Sequence, residues 1–207
     1  MSSPSETEAG TLVLVVGPSG AGKDTLIAIA QNLLREEAMV VFPRRIVTRE
    51  GSAAEDHDSI TPDDFDEAVR QGTFAFLWEA HGLKYALPSA VGDDIRRGKT
   101  VVCNVSRMIV PHLRRQYVRC KVVLVDAPRE IRAARISARG RATDAAGRMR
   151  LDRIAGNEET LSPDVAIQNV GDPRDGGRAL ANMLLYVAAS STGELSTRTT
   201  YGETANA

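Results

Sequence analysis

The chain has 207 residues, of which 43% are hydrophobic and 26% charged, as is ordinary for a soluble globular protein. Its 26 basic and 27 acidic residues leave a formal net charge of −1, so bulk charge gives no argument for a nucleic-acid or membrane partner. No apolar run approaches the roughly 20 residues of a membrane span, and the N-terminus lacks a signal-peptide core, so we expect a cytoplasmic protein.

The first elements predict a nucleotide site. Residues 1–10 are small and polar and are predicted to form a disordered leader. The apolar run Thr11–Val16 predicts a buried strand, and the spacing of apolar residues in Lys23–Glu37 predicts an amphipathic helix. A strand, a glycine-rich loop and a helix in this order are the context of a phosphate-binding loop, or P-loop. We predict that ATP is bound by Gly17, Pro18, Ser19, Gly20, Ala21, Gly22, Lys23, Asp24 and Thr25.

One position of this P-loop departs from the pattern G-x-x-x-x-G-K-[S/T]. Gly17, Gly22 and Lys23 fit it, but Asp24 stands where a magnesium-ligating hydroxyl is usual. A carboxylate is also a hard oxygen ligand, so we predict that Asp24 binds Mg²⁺ directly or through water, with Thr25 as a second candidate. The alternative is a tight glycine turn that only joins the strand to the helix.

The next part of the chain is predicted to hold short strands and two helices. Glu50–Ser59 is polar and turn-rich. Thr61 is a suitable N-cap and Pro62 suits the first helical position, so a helix is expected to begin there and to end near Gly72. The other elements predicted here are strands at Val40–Phe42, Arg45–Val47, Thr73–Trp78 and Leu83–Leu87, and a helix at Pro88–Arg97.

From Thr100 onward strands and helices alternate, which implies a parallel sheet covered on both faces. Cys103 and Cys120 lie in or beside these strands and are predicted to be reduced, packed thiols. Residues 190–207 are rich in Ser, Thr and Gly and are predicted to form a disordered tail. The predicted elements are strands at Thr100–Val105, Lys121–Val125 and Val165–Asn169, and helices at Arg107–Tyr117, Pro128–Arg139, from Arg148, and at Pro173–Ala189.

A cluster of arginines surrounds a polar, glycine-containing segment. It consists of Arg132, Arg135, Arg139, Arg141, Arg148, Arg150 and Arg153. A solvated helix face is one interpretation. A phosphoryl-transfer enzyme, however, needs movable cations over the transferring group, whose charge is spread over three oxygens. We therefore predict a lid at about 139–150, with Arg135, Arg139 and Arg150 as catalytic residues together with Lys23.

Polar side chains near predicted strand ends are a third set of candidate functional residues, after the P-loop and the arginine cluster. Ligands of parallel α/β sheets bind at the carboxyl ends of the strands. Arginine and hydroxyl groups suit a phosphate monoester. For Trp78, packing under the flap is favoured over stacking on a ligand. His57 fits two roles equally well, a hydrogen-bonded loop residue or a substrate contact. We predict that the acceptor is bound by Arg45, Thr48, Arg49, His57, Tyr85, Ser106 and Arg107.

In this order, the P-loop, the acceptor segment and the arginine lid resemble the guanylate kinase family over about residues 11–189. Several details resemble its ribose 1,5-bisphosphate phosphokinase branch more closely. They are Asp24 in the P-loop and the segments Ile46–Glu50, Trp78–Tyr85, Asn104–Arg107 and Arg139–Arg141. Guanylate kinases typically carry a guanine-reading Asp after the strand that corresponds to Thr100–Val105, and no carboxylate stands there in this chain. We therefore predict weak or absent activity on GMP.

The resemblance implies a fold and a reaction. The fold would be an α/β P-loop kinase sandwich of three layers with a mostly parallel sheet. It would form a single domain at 11–189, with an acceptor-binding flap at about 44–87. The reaction would transfer the γ-phosphoryl group of ATP, with Mg²⁺, to the 1-phosphate of ribose 1,5-bisphosphate in phosphonate catabolism. The products would be ADP and 5-phosphoribosyl 1-diphosphate.

Three other functions fit parts of the sequence. A nucleoside monophosphate kinase acting on GMP would share the scaffold. A non-catalytic binding module would tend to lose the P-loop lysine, whereas Lys23 is present. A kinase acting on a sugar hydroxyl needs a carboxylate beside the acceptor, for which Glu55 and Asp56 are the convenient candidates. The sequence leaves a homodimer open.

Overall fold

The computed structural model describes residues 10–49, 57–80, 82–138 and 161–191. The described strands are β1 Thr11–Val16, β2 Val40–Val41, β3 Arg45–Val47, β4 His57–Ser59, β5 Phe74–Ala80, β6 Leu83–Pro88, β7 Thr100–Asn104, β8 Cys120–Asp126 and β9 Val165–Gln168. The described helices are α1 Lys23–Leu33, α2 Pro62–Arg70, α3 Ala90–Arg96, α4 Val110–Gln116, α5 Arg129–Ala138 and α6 Pro173–Ser191, with a 3₁₀ turn at Arg107–Ile109 before α4.

The central sheet has the strand order β2-β7-β1-β8-β9, and every pair in it is parallel. β1 lies in the middle and is buried along its whole length. Because all five strands point the same way, their carboxyl ends meet at one edge of the sheet. The predicted α/β class with a mostly parallel sheet is confirmed.

Two hydrophobic clusters cover the two faces of this sheet. The alternation of side chains along β1 sends Val13 and Val15 to one face and Leu12, Leu14 and Val16 to the other. α1 and α6 pack on the first face, while α3 and α4 pack on the second. The helices on both sides make three layers, as the sequence predicts.

A second, smaller sheet has the order β4-β3-β6-β5, in which only the β3–β4 pair is parallel. It is built from the segment for which the sequence predicts a flap. α2 connects β4 to β5 and begins as predicted, because the Thr61 hydroxyl accepts a hydrogen bond from the Asp64 amide at 3.2 Å and Pro62 follows the cap. Phe76 and Trp78 of β5 join the cluster of the second face of the central sheet.

Several predicted boundaries differ from the structure. α1 ends at Leu33 rather than at Glu37, because the chain turns to enter β2. Strand β4 lies in a segment for which the sequence indicates turns and no strand is predicted. Gly10, assigned to the leader, is buried and donates its amide to Ile95 O at 3.1 Å, and α6 continues to Ser191, into the predicted tail. The predicted lid and the predicted helix from Arg148 lie outside the described residues.

None of the helices in the described part of the chain is long and apolar enough to cross a membrane.

Candidate active site

The P-loop leaves the central strand of the parallel sheet and leads directly into α1. Its tight course depends on glycines with positive φ, among them Gly20 (80°) and Gly22 (95°). A Cβ atom on Gly20 would lie 2.7 Å from the backbone oxygen of Arg132, and one on Gly22 would collide with the side chain of Asn169. The loop is therefore pressed against α5 and the end of β9.

Lys23 bends back over this loop. Its ammonium donates hydrogen bonds to the backbone oxygens of Gly17 at 2.8 Å and Pro18 at 3.1 Å. Among the described residues, no side chain caps the amino end of α1, whose first residue is Lys23. The free amides at a helix N-terminus favour an anion, so a cation and a helix end lie together at the loop.

Two side chains from other elements hold the P-loop backbone in place. The side-chain amide of Asn169 donates from Nδ2 to Ala21 O at 2.8 Å, and Asn169 is only 3% exposed. The Arg135 guanidinium of α5 donates to Asn169 O at 3.0 Å and to Ala21 O at 3.4 Å. The sequence motifs do not identify Asn169 as a site residue. The available signal was its position directly after a strand of the parallel sheet.

The structure places only one of the three predicted catalytic arginines. Arg135 lies beside the P-loop, in contact with its backbone. Its neighbour Arg132, one turn earlier in α5, is 6% exposed and donates from Nε to Ala127 O at 2.9 Å. Arg139 and Arg150 lie outside the described residues. The catalytic role of all three stays a prediction.

Asp24 joins the P-loop helix to two other elements. Its Oδ1 accepts a hydrogen bond from Asn104 Nδ2 at 2.6 Å and lies 3.5 Å from a terminal nitrogen of Arg45. Asn104 is the last residue of β7, and Arg45 is the first residue of β3 in the small sheet. Asp24 therefore connects the P-loop with both the central sheet and the predicted acceptor segment.

The donor set around Asp24 fits Mg²⁺. The Asp24 side chain is 41% exposed, and among the described residues only its Oδ1 takes part in the contacts above. Thr25, the next residue of α1, is half-buried. The described residues contain no cluster of three or more His, Cys, Asp or Glu side chains that could hold a metal. One carboxylate beside a phosphate site is the usual protein contribution to Mg²⁺ binding, because phosphates and waters complete the octahedron.

The predicted acceptor residues of the small sheet lie in a positive environment. Arg45 and His57 are paired in the register of β3 and β4. Burial lowers the pKa of His57 below its ordinary 6.5, and the positive charges of Arg49, Arg45 and Arg44 lower this pKa further, while Asp24 opposes them. Nε of Arg45 is buried and, within the described part of the chain, has no hydrogen-bond partner. An anion would find several cations here.

Other predicted acceptor residues have structural contacts. The Thr48 hydroxyl accepts a hydrogen bond from the Lys84 amide at 2.9 Å, which ties β3 to β6. Tyr85 stacks on Trp78, with ring centroids 5.4 Å apart and planes at 10°. Ser106 caps the 3₁₀ turn by accepting from the Met108 amide at 3.4 Å, and Arg107 begins that turn. Their contacts with an acceptor stay predictions.

A P-loop on the central strand of a parallel sheet, with a small mixed sheet beside it, defines the fold as that of a P-loop kinase. Among solved structures, the guanylate kinase of Anaplasma phagocytophilum matches with a TM-score of 0.61, over 86% of this chain and 85% of that one. The sequence identity is 15%, so this likeness shows the fold alone.

Sequence comparison defines the family more narrowly. No protein-family model matches the chain. A protein of Rhodopseudomonas palustris named ribose 1,5-bisphosphate phosphokinase PhnN is 52% identical over 86% of this chain and 89% of that protein. A protein of Bradyrhizobium diazoefficiens with the same name is 46% identical over 84% and 88%. The chain belongs to the ribose 1,5-bisphosphate phosphokinase PhnN family, as its motifs predict.

Proposed function

We propose that this chain is an ATP-dependent kinase that phosphorylates the 1-phosphate of ribose 1,5-bisphosphate. The products are 5-phosphoribosyl 1-diphosphate and ADP, and the reaction belongs to phosphonate catabolism. Identities of 46–52% to proteins named for this activity support the substrate. The observation that carries the proposal is the contact of Arg45 with Asp24, because it brings an acceptor-side cation to the edge of the P-loop.

The donor side of the mechanism follows from the P-loop. Its amides and the Lys23 ammonium hold the β- and γ-phosphates of ATP, in place of the loop oxygens that Lys23 contacts in the structure. Asp24, with Thr25 as a second ligand, would hold Mg²⁺, which neutralises charge on these phosphates. Arg135 lies at the same loop, and we propose that Arg139 and Arg150 approach the transferring group from the lid.

The acceptor side needs no general base. The nucleophile is an oxygen of the 1-phosphate, which is already ionised at neutral pH, whereas a sugar hydroxyl would need a carboxylate to take its proton. Arg45, Arg49 and Arg107 would bind the two phosphates of the acceptor, with support from Thr48, His57, Tyr85 and Ser106. Bringing two polyanions together is the main cost of forming this complex, and the arginines reduce it.

Further parts of the proposal concern the protein as a whole. We propose a single catalytic domain at 11–189 whose flap is the segment 44–87 and whose lid is the segment 139–150. Its substrates are ATP and a sugar phosphate, without a nucleic-acid or membrane partner, and the cytoplasm is the expected compartment.

The test is phosphorus NMR of the purified protein with Mg-ATP and ribose 1,5-bisphosphate, beside a parallel sample with GMP. We expect the diphosphate resonances of 5-phosphoribosyl 1-diphosphate in the first sample and no GDP in the second. GDP in the second sample alone would show that the acceptor has been assigned wrongly. No turnover in either sample would contradict the kinase assignment.

A further inference from the structure

The contact between Asp24 and Asn104 joins two positions that are 80 residues apart in the chain. Asn104 ends β7, which pairs with β1 so that Asn104 lies opposite Val15. The P-loop follows β1 directly, so the register of the sheet places the end of β7 beside the start of α1. The 2.6 Å distance from Asn104 Nδ2 to Asp24 Oδ1 is that of a short hydrogen bond to a charged acceptor.

P-loop NTPases generally hold Mg²⁺ with two groups, a hydroxyl in the P-loop and an aspartate from another strand. In this chain the P-loop position carries the carboxylate of Asp24, and the neighbouring strand ends in the amide of Asn104. We propose that these two positions have exchanged roles: Asp24 supplies the metal-binding carboxylate, and Asn104 is a positioning residue that fixes its orientation. An amide suits this place because two carboxylates at this distance would repel each other.

The two carboxylate oxygens of Asp24 lie in different environments, which suits different roles. Oδ1 is held by Asn104 and lies next to Arg45, which is itself only 18% exposed. Within the described part of the chain, Oδ2 takes part in neither contact, and the side chain is 41% exposed. A carboxylate fixed through one oxygen loses little further rotational freedom when the other binds a cation. Groups that orient a metal ligand in this way contribute to metal affinity together with the ligand itself.

This inference rests on the proposed function only in requiring that the site binds a nucleotide with Mg²⁺. Its test therefore uses ADP binding, which does not involve the acceptor. If the kinase assay fails while the ADP results below are obtained, the substrate assignment is wrong and the inference stands.

The experiment is isothermal titration calorimetry of the full chain with ADP, in EDTA and in Mg²⁺, for the wild type and for Asn104→Ala. The quantity of interest is the gain in ADP affinity on adding Mg²⁺. We expect Asn104→Ala to reduce this gain by about 10–100-fold, the usual effect of losing a group that orients a metal ligand. We expect the affinity in EDTA to stay within about twofold, because Asn104 contacts Asp24 rather than the P-loop backbone.

Asn169→Ala is the matched control, because it removes another amide next to the same loop. Asn169 binds the P-loop backbone through Ala21 O, so its loss should weaken ADP binding equally with and without Mg²⁺. If Asn104→Ala behaves like this control, Asn104 only supports the loop and the proposal is overturned. An unchanged gain for Asn104→Ala overturns it as well.

A second set of variants tests the exchange directly and does not depend on the folding of Asn104→Ala. Asp24→Ser should lose the gain in affinity on adding Mg²⁺. The double variant Asp24→Ser/Asn104→Asp, which restores the more common arrangement, should recover a large part of that gain. Retention of the full gain by Asp24→Ser, or no recovery in the double variant, contradicts the proposal. Thermal unfolding of each variant identifies any loss of fold.

Discussion

At the scale of single residues, the Lys23 ammonium has two neutral backbone oxygens as acceptors, at 2.8 and 3.1 Å. Nucleotide phosphates would be stronger acceptors, because a phosphate oxygen carries negative charge that attracts the ammonium, whereas a backbone oxygen is neutral. Lys23→Ala is therefore expected to lower kcat by about 10²–10³-fold, as removal of one transition-state donor usually does.

The same variant should remain folded, because the Lys23 ammonium is only part-buried and a hydrogen bond that involves a charged group contributes about 1.5–3 kcal/mol to the free energy of unfolding. Steady-state kinetics and thermal unfolding measure the two effects. Lys121→Ala is the control. This lysine is the second residue of β8, at the end of the strand opposite to the P-loop, and pairs with Asp164 at 3.0 Å. Near-normal kcat for Lys23→Ala would contradict the assigned role of the P-loop.

His57 makes stability depend on pH. Its pKa in the folded protein is lowered from 6.5, first by burial and then by Arg49, Arg45 and Arg44, so the unfolded chain binds a proton more readily. The contribution of His57 to stability is therefore complete above pH 6.5. It is lost as the pH falls below 6.5 through the pKa of the folded state.

We expect the free energy of unfolding to fall more steeply from pH 7 to pH 5 in the wild type than in His57→Gln. Urea unfolding at several pH values measures both. Parallel pH profiles of the two proteins would show that His57 is not the group responsible.

Contacts between residues far apart in the chain could not be predicted from the sequence. The P-loop pattern is local, so Gly17, Gly22 and Lys23 identify it directly. Asn169 and Ala21 are 148 residues apart, and their contact exists only because β9 ends at the same edge of the sheet as β1. The motif also shows that Asp24 is unusual, but only the structure shows that Asn104 binds it.

At the scale of secondary-structure elements, strand β5 separates a buried face from an exposed one. Trp78 is 7% exposed, packs with Phe76 and Leu87, and stacks on Tyr85. Leu77, the residue before it, is 52% exposed because side chains alternate along a strand. The structure thus agrees with the interpretation of Trp78 as a packing residue.

Trp78→Ala is expected to lower the free energy of unfolding by about 3–5 kcal/mol, as is usual when a buried aromatic side chain is truncated. Leu77→Ala on the opposite face should change it by no more than about 0.5 kcal/mol. Guanidinium unfolding compares the two variants. Similar losses in both would mean that the small sheet does not pack on the central domain through Trp78.

Element boundaries were predictable where local signals exist and not elsewhere. The Thr61-Pro62 start of α2 rests on a capping hydrogen bond within the same turn, so sequence alone locates it. Strand β4 has only three residues, of which two are exposed, so it lacks a hydrophobic pattern. It forms because β3 offers it a partner, and that is a tertiary interaction.

At the scale of the whole molecule, the parallel topology explains how separate segments form one site. The P-loop follows β1, Asn104 is the last residue of β7, and Asn169 follows β9. The carboxyl ends of these three strands lie at the same edge of the sheet. The small sheet reaches this edge through Arg45. The parallel α/β topology therefore brings these groups together at one edge, although the formal net charge of the whole chain is −1.

This charge distribution predicts a dependence on salt. With a net charge near zero, attraction of two polyanionic substrates must come from local cations. Exposed local fields are screened as the Debye length falls from about 30 Å at 0.01 M salt to about 8 Å at 0.15 M. We expect kcat/KM for the acceptor to fall over this range. Arg45→Ala should lower kcat/KM at low salt and flatten its salt dependence, because Arg45 lies at the site.

Arg35→Ala removes the same charge at a different place. Arg35 follows the carboxyl end of α1, has a side chain 70% exposed and pairs with Glu36. It lies near the start of β2, at the edge of the sheet opposite to the P-loop, so its removal should leave both kcat/KM and the salt dependence unchanged. If Arg35→Ala flattened the salt dependence as much as Arg45→Ala, the attraction would come from total charge and not from the arginines of the site. Kinetics of the three proteins at four salt concentrations therefore separate a local field from a global one.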